Sequence, residues 1–251
     1  MKTPSIPGFD CFFCSQVHST NDVASQFIEK QTKLFDKKIF WSNIQTHGRG
    51  RQGRKWISEK GNLYFSLIIA PDKPLSEFHQ LTFITSLALV KALQTIMDNH
   101  DLRVKWPNDI LLNNKKLCGI LLETAFSQSL QKTFIIIGVG INVIKAPKLK
   151  TYETCSLYEV LQKKYDLEYI LDLFCQQFEI WYDIWISSGF EKIRQAWLAN
   201  SFKEGTGIQV HQNESIVKGT FKTITKSGQL VILTEDNKEL NILSGDITIE
   251  N

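Results

Sequence analysis

The chain has 251 residues, room for one large domain with a sizeable core and one small one. A charged fraction of 22% argues against intrinsic disorder, and a net charge of +3 does not by itself announce a nucleic-acid binder. No apolar run reaches the ~20 residues of a membrane span and the N-terminus lacks the apolar core of a signal peptide, so the cytoplasm is the expected location; five scattered cysteines point to reduced thiols rather than a disulfide framework.

Phe9 to Val17 reads as a short strand. Its Cys11-Phe12-Phe13-Cys14 has C-x-x-C spacing, but no second pair completes a zinc site, so these are expected to be strand or core residues. His18-Ser19-Thr20-Asn21-Asp22 follows, ahead of Val23, Ala24, Phe27 and Ile28 at helical spacing. Ser, Thr, Asn and Asp cap helix starts, yet only one residue can be the cap, which leaves hydroxyls and amides for a polar site at a strand end.

Ile39 to Gln45 is the next strand. It feeds Thr46-His47-Gly48-Arg49-Gly50-Arg51-Gln52-Gly53-Arg54-Lys55-Trp56. The G-x-G-x-x-G inside it does not open a helix; the alternating strand Asn62 to Ile69 follows instead, and two arginines occupy the turn, so a dinucleotide-binding reading fails. Three glycines interleaved with cations suit wrapping a phosphate or an acyl phosphate, with a solvated basic loop as the alternative. Such a loop is expected to be mobile until an anion arrives.

Ser76 to Met97 is a long core helix behind Pro74. His79 and His100 are expected to face solvent without partners. Lys105-Trp106-Pro107-Asn108-Asp109 is a bend, because Pro107 forbids helix at Trp106. Two apolar runs, Ile110 to Leu112 and Leu117 to Leu122, flank Asn113-Asn114, a pair that tolerates the positive φ of a tight hairpin. Lys116 precedes Gly119 in that second strand, and a strand glycine marks a bulge or a close approach of ligand to backbone. The alternative is a surface hairpin with a solvated lysine pair. Ser127 to Gln131 is a polar turn, and the apolar strand from Thr133 ends in Gly138-Val139-Gly140-Ile141-Asn142.

Helical patterns cover Leu157 to Leu161, Leu167 to Ile186 and Phe190 to Leu198. The stripe Phe174, Phe178, Trp181, Ile184 and Trp185 reads as packing. From Gly205 the period changes to two, giving five short strands punctuated by Asn213-Glu214, Ser227-Gly228 and Asp236-Asn237, which suggests a small SH3-like barrel.

Taken together, Ser19-Thr20-Asn21, the Gln45 to Trp56 loop, Lys105 to Asp109, Lys116 to Leu121 and Gly138 to Asn142 stand in one order that resembles the biotin–protein ligases. The resemblance spans nearly the whole chain. Fewer than twenty residues precede Ser19, so it is to the short form without an N-terminal DNA-binding domain. It implies an α+β fold: a mixed, mostly antiparallel sheet flanked by helices, of the class II synthetase-like and biotin–lipoate ligase-like type. The catalytic domain would span 1–201 and the barrel 202–251.

The implied reaction joins biotin and ATP, with Mg2+, into biotinyl-5'-AMP and then transfers biotin to a lysine of a biotin carboxyl carrier protein. The resemblance assigns Lys116, Arg51 and Asp109 to catalysis, with Asp109 the candidate to orient or deprotonate the acceptor lysine. It assigns Ser19, Thr20, Asn21, Gln45, Gly48, Arg49, Gly50, Arg51, Lys116, Gly119 and Gly138 to biotin, with Arg49 and Arg51 closing over the intermediate. Arg54, Trp56, Lys105, Asn108 and Asn142 go to ATP. No metal ligand is expected from the protein, no DNA or membrane partner, and a homodimer is possible in the family. Two alternatives stay open: a lipoate or octanoate ligase or transferase of the same fold, and a nucleic-acid-binding protein using the arginine loop and barrel, against which the near-neutral charge argues.

Overall fold

The computed structural model describes residues 5–250 apart from 36, 98, 99, 150, 213 and 214. The Asn213-Glu214 turn therefore lies outside the described residues. An eight-stranded sheet forms the centre, built from β1 (Ser5–Ile6), β2 (Phe9–Cys14), β3 (Lys38–Ser42), β4 (Leu63–Ile69), β5 (Leu102–Lys105), β6 (Asp109–Leu112), β7 (Lys115–Ser127) and β8 (Lys132–Ile141). The strand order is β1-β2-β3-β4-β8-β7-β6-β5, and only β2 and β3 run parallel. These two are joined by α1 (Thr20–Glu29), the crossover that a parallel pair requires.

The sheet has two unlike faces. Alternate residues such as Phe65, Leu67, Ile137, Val139, Cys118 and Ile120 point into the main core. That core is closed by α2 (Leu81–Gln94), α4 (Leu167–Ser188) and α5 (Phe190–Ala199). Apolar residues surround α2 on nearly every side, because the sheet lies on one flank and α4 and α5 on the other. The aromatic stripe of α4 is packing: Phe174 meets Phe65 at 4.8 Å between ring centroids, and Phe178 meets Phe9 at 6.5 Å. On the opposite face Ala24 and Ile28 of α1 pack on Phe40, Ile68, Phe134 and Ile136, a smaller core that leaves the rest of this face for the site.

The short α3 (Leu157–Leu161) opens with a capping box, in which Ser156 accepts from Glu159 N and Glu159 accepts from Ser156 N. Beyond α5, β9 (Gly207–Gln212), β10 (Ser215–Ile224), β11 (Leu230–Leu233), β12 (Glu239–Ile242) and β13 (Asp246–Ile249) form the antiparallel SH3-like sheet. Its apolar residues Ile208, Val210, Phe221, Ile224 and Ile247 belong to the same core cluster as the main sheet. Trp106 Nε1 donates to Gly228 O at 3.1 Å, and His79 Nε2 pairs with Ser227 O at 2.7 Å. His79 is thus exposed but partnered, a correction to the solvent-only expectation, while His100 is exposed.

Several boundaries differ from the sequence reading. β2 stops at Cys14 rather than Val17, and the stretch before α2 winds as a 3-10 helix over Leu75–Gln80. Leu102–Lys105 is a strand, so Lys105 to Asp109 is the turn of a hairpin, with a cis Trp106–Pro107 bond. All five cysteines are free, and burial pushes the Cys11 thiol up to about 12, which suits a core residue and not a redox pair.

Candidate active site

Strand register lays the floor of the site. Ser66 of β4 pairs with Gly138 of β8, which pairs with Leu121 of β7. The next row on the same face runs Tyr64, Gly140, Gly119 and Asp109. Two neighbouring strands therefore lack side chains side by side, and the Trp56 indole fills the trough. A Cβ on Gly119 would sit 2.6 Å from Trp56 Cζ3, and one on Gly140 2.5 Å from Trp56 Cε2.

Lys116 reaches this face through a bulge. Cys118 opposes Ile110, but Lys116 opposes Leu111, so Leu117 is an extra residue. Strict alternation back from Gly119 would aim Leu117 at the site and bury Lys116 in the core. Instead Leu117 is fully buried and Lys116 lines the cavity. The strand is held there by the 153–155 segment, with Lys116 N donating to Glu153 O at 2.9 Å and Cys155 N to Lys116 O at 3.1 Å.

Lys116 Nζ lies 2.6 Å from Asp109 Oδ1, and Lys105 Nζ lies 3.2 Å from Asp109 Oδ2. Burial alone would raise the Asp109 carboxyl, but the adjacent Lys116 and Lys105 hold it below its ordinary value. Burial likewise opposes the charge on Lys116, and Asp109 with Tyr152 keeps its pKa above the ordinary one. The ammonium also faces the rings of Trp56 and Tyr152, at 5.4 and 5.2 Å from their centroids. Asp109 is thereby held as an anion between the two lysine nitrogens. The geometry makes Asp109 a holder of Lys116.

A polar wall stands over Gly138. Ser19 is the N-cap of α1 yet makes no side-chain capping bond. Gln45 caps the helix from outside, its Oε1 accepting from Thr20 N at 2.8 Å. Thr20 Oγ1 lies 2.7 Å from Ser66 Oγ, and Ser66 Oγ lies 2.5 Å from Asn21 Oδ1. Asn21 Nδ2 donates to Glu123 Oε2 at 2.7 Å. Here too the sheet must be bare, because a Cβ on Gly138 would come within 2.5 Å of Asn21 Oδ1.

The arginine loop is a small hairpin: Trp56 N donates to Gly48 O at 2.9 Å and Gly50 N to Arg54 O at 2.7 Å, with Gln52 and Gly53 at positive φ in its tip. Its cations divide. Arg49 is paired with the wall, 2.5 Å from Asp22 and 3.1 Å from Glu123, while still lining the cavity. Arg51 and Arg54 lean on the C-terminal sheet. Arg54 is 2.9 Å from Asp246, and Arg51 is 3.5 Å from Asp246 and donates to Gly245 O at 3.3 Å. Burial depresses the Arg51 guanidinium, Asp246 only partly offsets this and Arg54 adds to it, so an incoming anion would relieve the site. Lys105 donates to Ile247 O at 3.2 Å, and Asn108 Nδ2 to Ile120 O at 2.6 Å.

These parts enclose a cavity of about 370 Å³, within the usual span for a small-molecule site. Ser19, Thr20, Asn21, Gln45, Arg49, Gly50, Arg51, Arg54, Trp56, Lys105, Asn108, Asp109, Lys116, Gly119 and Gly138 all line it. Gly48 does not; it is buried where a Cβ would lie 2.6 Å from Trp56 O. Asn142 does not either, a correction to its place among the nucleotide ligands. It is 1% exposed, and its amide donates to Cys155 O at 3.2 Å, bracing the segment beside Lys116. Sequence reasoning missed Ser66, Glu123, Tyr152, Asp246 and Ile247. A serine within the apolar run Leu63–Ile69 was the one visible signal.

A model of the biotin/lipoate A/B protein ligase family matches residues 12–142. The chain is 34% identical over 194 residues to a biotin–[acetyl-CoA-carboxylase] ligase of Paracoccus denitrificans, covering 75% of this chain and 80% of that protein. It is 34% identical over 214 residues to the bifunctional ligase/repressor BirA of Bacillus subtilis, covering 82% of this chain but 64% of that protein, less than two thirds of its length. In structure it is similar to the Aquifex aeolicus biotin protein ligase in complex with biotin and ATP. That match has a TM-score of 0.79 and 25% identity and covers 96% of this chain and 98% of the other.

Proposed function

The chain belongs to the biotin/lipoate A/B protein ligase family, and from that premise we propose that its cavity activates biotin with ATP and transfers it to a lysine of a carboxyl carrier protein. The observation that carries this reading is the pairing, in one cavity, of the Thr20–Asn21–Gln45 wall over Gly138 with the Lys116–Asp109 pair beside Gly119. A ureido ring carries donors and an acceptor and needs a polar wall, whereas the acyl chain of lipoate needs none. The names of the relatives favour biotin over lipoate in the same way.

In the first step a biotin carboxylate oxygen bonds to the α-phosphorus of ATP and pyrophosphate leaves. Two anions must meet, so fixed positive charge lowers the barrier most. Lys116, held by Asp109 and desolvated by Trp56 and Tyr152, supplies it where carboxylate and phosphate converge. Arg51, Arg54 and Lys105 face the phosphates, Asn108 orients Arg51, and Trp56 offers a flat face to the adenine. Closure of the Gly48–Gly53 loop keeps water from the mixed anhydride. In the second step the acceptor lysine first loses a proton to solvent, its free amine bonds to the acyl carbon as the bond from that carbon to the phosphate oxygen breaks, AMP leaves, and the nitrogen releases its second proton to solvent. Asp109, acceptor only, orients the incoming ammonium.

Magnesium would enter with the triphosphate and neutralise its charge. Among the described residues no three His, Cys, Asp or Glu side chains gather to hold an ion. Asp109 and Asp246, which line the cavity, already serve lysines and arginines.

No helix among the described residues is long and apolar enough to cross a membrane. We place the protein in the cytoplasm, beside the carriers it modifies. The test is intact-mass analysis of a carrier domain incubated with protein, biotin, ATP and Mg2+. One added biotinyl group on one lysine is expected, and an unchanged mass would refute the function.

A further inference from the structure

Three consecutive residues of the C-terminal sheet present acceptors to three cations of the cavity. Arg51 Nη1 donates to Gly245 O at 3.3 Å and lies 3.5 Å from Asp246 Oδ1. Arg54 Nη2 spans both oxygens of Asp246, 3.2 Å from Oδ1 and 2.9 Å from Oδ2. Lys105 Nζ donates to Ile247 O at 3.2 Å. Strand alternation sets this arrangement. Ile247 is buried in the core opposite Val210, so Asp246 beside it points the other way, to the arginine loop. Among the described residues Asp246 is the only carboxylate paired with either arginine.

These are the cations that the proposed reaction turns to the phosphates of ATP. A guanidinium fork fits a carboxylate and a phosphate in the same way, so Asp246 and a phosphate compete for the same N–H groups. Asp246 brings one negative charge to two arginines. The β- and γ-phosphates together bring more than one and gain over it at both, whereas a singly charged ligand does not. The pair also stands partly in solvent, with 35% of the Asp246 side chain and 49% of Arg54 exposed, so it is weak enough to exchange.

We infer that Asp246 is a positioning residue that stands in for the β- and γ-phosphates. ATP displaces it from Arg51 and Arg54, and it returns to them when pyrophosphate leaves, tying the arginine loop to the C-terminal sheet while the intermediate waits for its acceptor. This rests on the function proposed above and goes beyond it in giving the loop two alternating partners. Only ion pairs are made and broken in the exchange. Its two consequences have opposite signs. Asp246 costs affinity for a polyphosphate, because it must be displaced, and it favours retention of the intermediate, because the loop keeps a partner once pyrophosphate has gone. A merely structural Asp246 would support every ligand alike.

The test is calorimetric binding of inorganic pyrophosphate and of biotin, together with the dissociation rate of biotinyl-AMP, in the wild type, Asp246→Asn and Glu250→Gln. Glu250 carries the same charge on the same sheet but lies outside the cavity, where it accepts from Gln209 Nε2 at 3.0 Å. In Asp246→Asn pyrophosphate should bind about three- to fivefold more tightly, the upper range for one exposed ion pair, and biotinyl-AMP should leave about threefold faster or more. Biotin affinity should stay within about twofold, on the same scale. Glu250→Gln should match the wild type in all three. Pyrophosphate binding that is unchanged or weaker in Asp246→Asn, an equal gain in Glu250→Gln, or no change in the release of biotinyl-AMP would overturn the inference while leaving the proposed function in place. If the wild type forms no biotinyl-AMP from biotin and ATP, the proposed function fails and the inference falls with it.

Discussion

Asp109 and Lys116 lie one strand apart with 2.6 Å between carboxylate and ammonium, and the lysine is there only because Leu117 bulges out of the pairing between β6 and β7. A buried cation is costly without a partner, so this carboxylate keeps Lys116 charged where two anions must meet.

Asp109→Asn should therefore act on Lys116. With the carboxylate gone, burial remains and draws the lysine pKa down from its raised value, so the alkaline limb of a pH profile of pyrophosphate release should move to lower pH. The stability effect has a defined window. The raised Lys116 stabilises the fold below its ordinary 10.5 and loses this as pH rises through the folded value, whereas the depressed Asp109 stabilises above its ordinary 3.8 and loses this as pH falls through the folded value. Across neutral pH the variant should be less stable by about 3 kcal/mol, equally at pH 6 and pH 8 by urea denaturation.

Lys116→Ala should lower the rate of adenylate formation by about 10²- to 10³-fold, the effect of removing one fixed stabiliser of developing charge. Single-turnover formation of biotinyl-AMP measures this. A loss under tenfold would place the charge elsewhere.

Gly140→Ala would drive a Cβ to within 2.5 Å of the Trp56 indole. Overpacking of this kind costs about 1–3 kcal/mol, readable in a denaturation midpoint. The KM for ATP should rise more than the KM for biotin, because the displaced ring is the one offered to the adenine.

Arg51→Gly should leave adenylation measurable but release the intermediate. Labelling of lysines on bystander proteins should increase, and the dissociation rate of biotinyl-AMP should rise about tenfold or more, since a charge-assisted contact worth about 1.5–3 kcal/mol is lost. Retention equal to wild type would remove the loop from that task.

The sequence motifs located most of the cavity, because each joins a polar residue to a strand end or a glycine within the chain. Lys116 was assigned to the site through the resemblance, not through the strand pattern. Alternation would bury it, and only the bulge beside Leu117 reverses its direction. The ion pairs of Arg49 were hidden for a similar reason: its partners Asp22 and Glu123 sit on α1 and β7, and no local pattern joins them to the loop. The C-terminal contribution was hidden by distance, since Arg51 and Gly245 are 194 positions apart. Four-residue strands such as Leu102–Lys105 are short enough to pass for the edge of a turn, yet this one sets Lys105 beside Asp109.

The most direct measurement is pyrophosphate release from ATP and Mg2+ with biotin or lipoate supplied separately and no acceptor protein present. The account predicts release that depends on biotin, is absent with lipoate, and collapses in Lys116→Ala. Release with lipoate alone would contradict it and assign the polar wall to something other than a ureido ring.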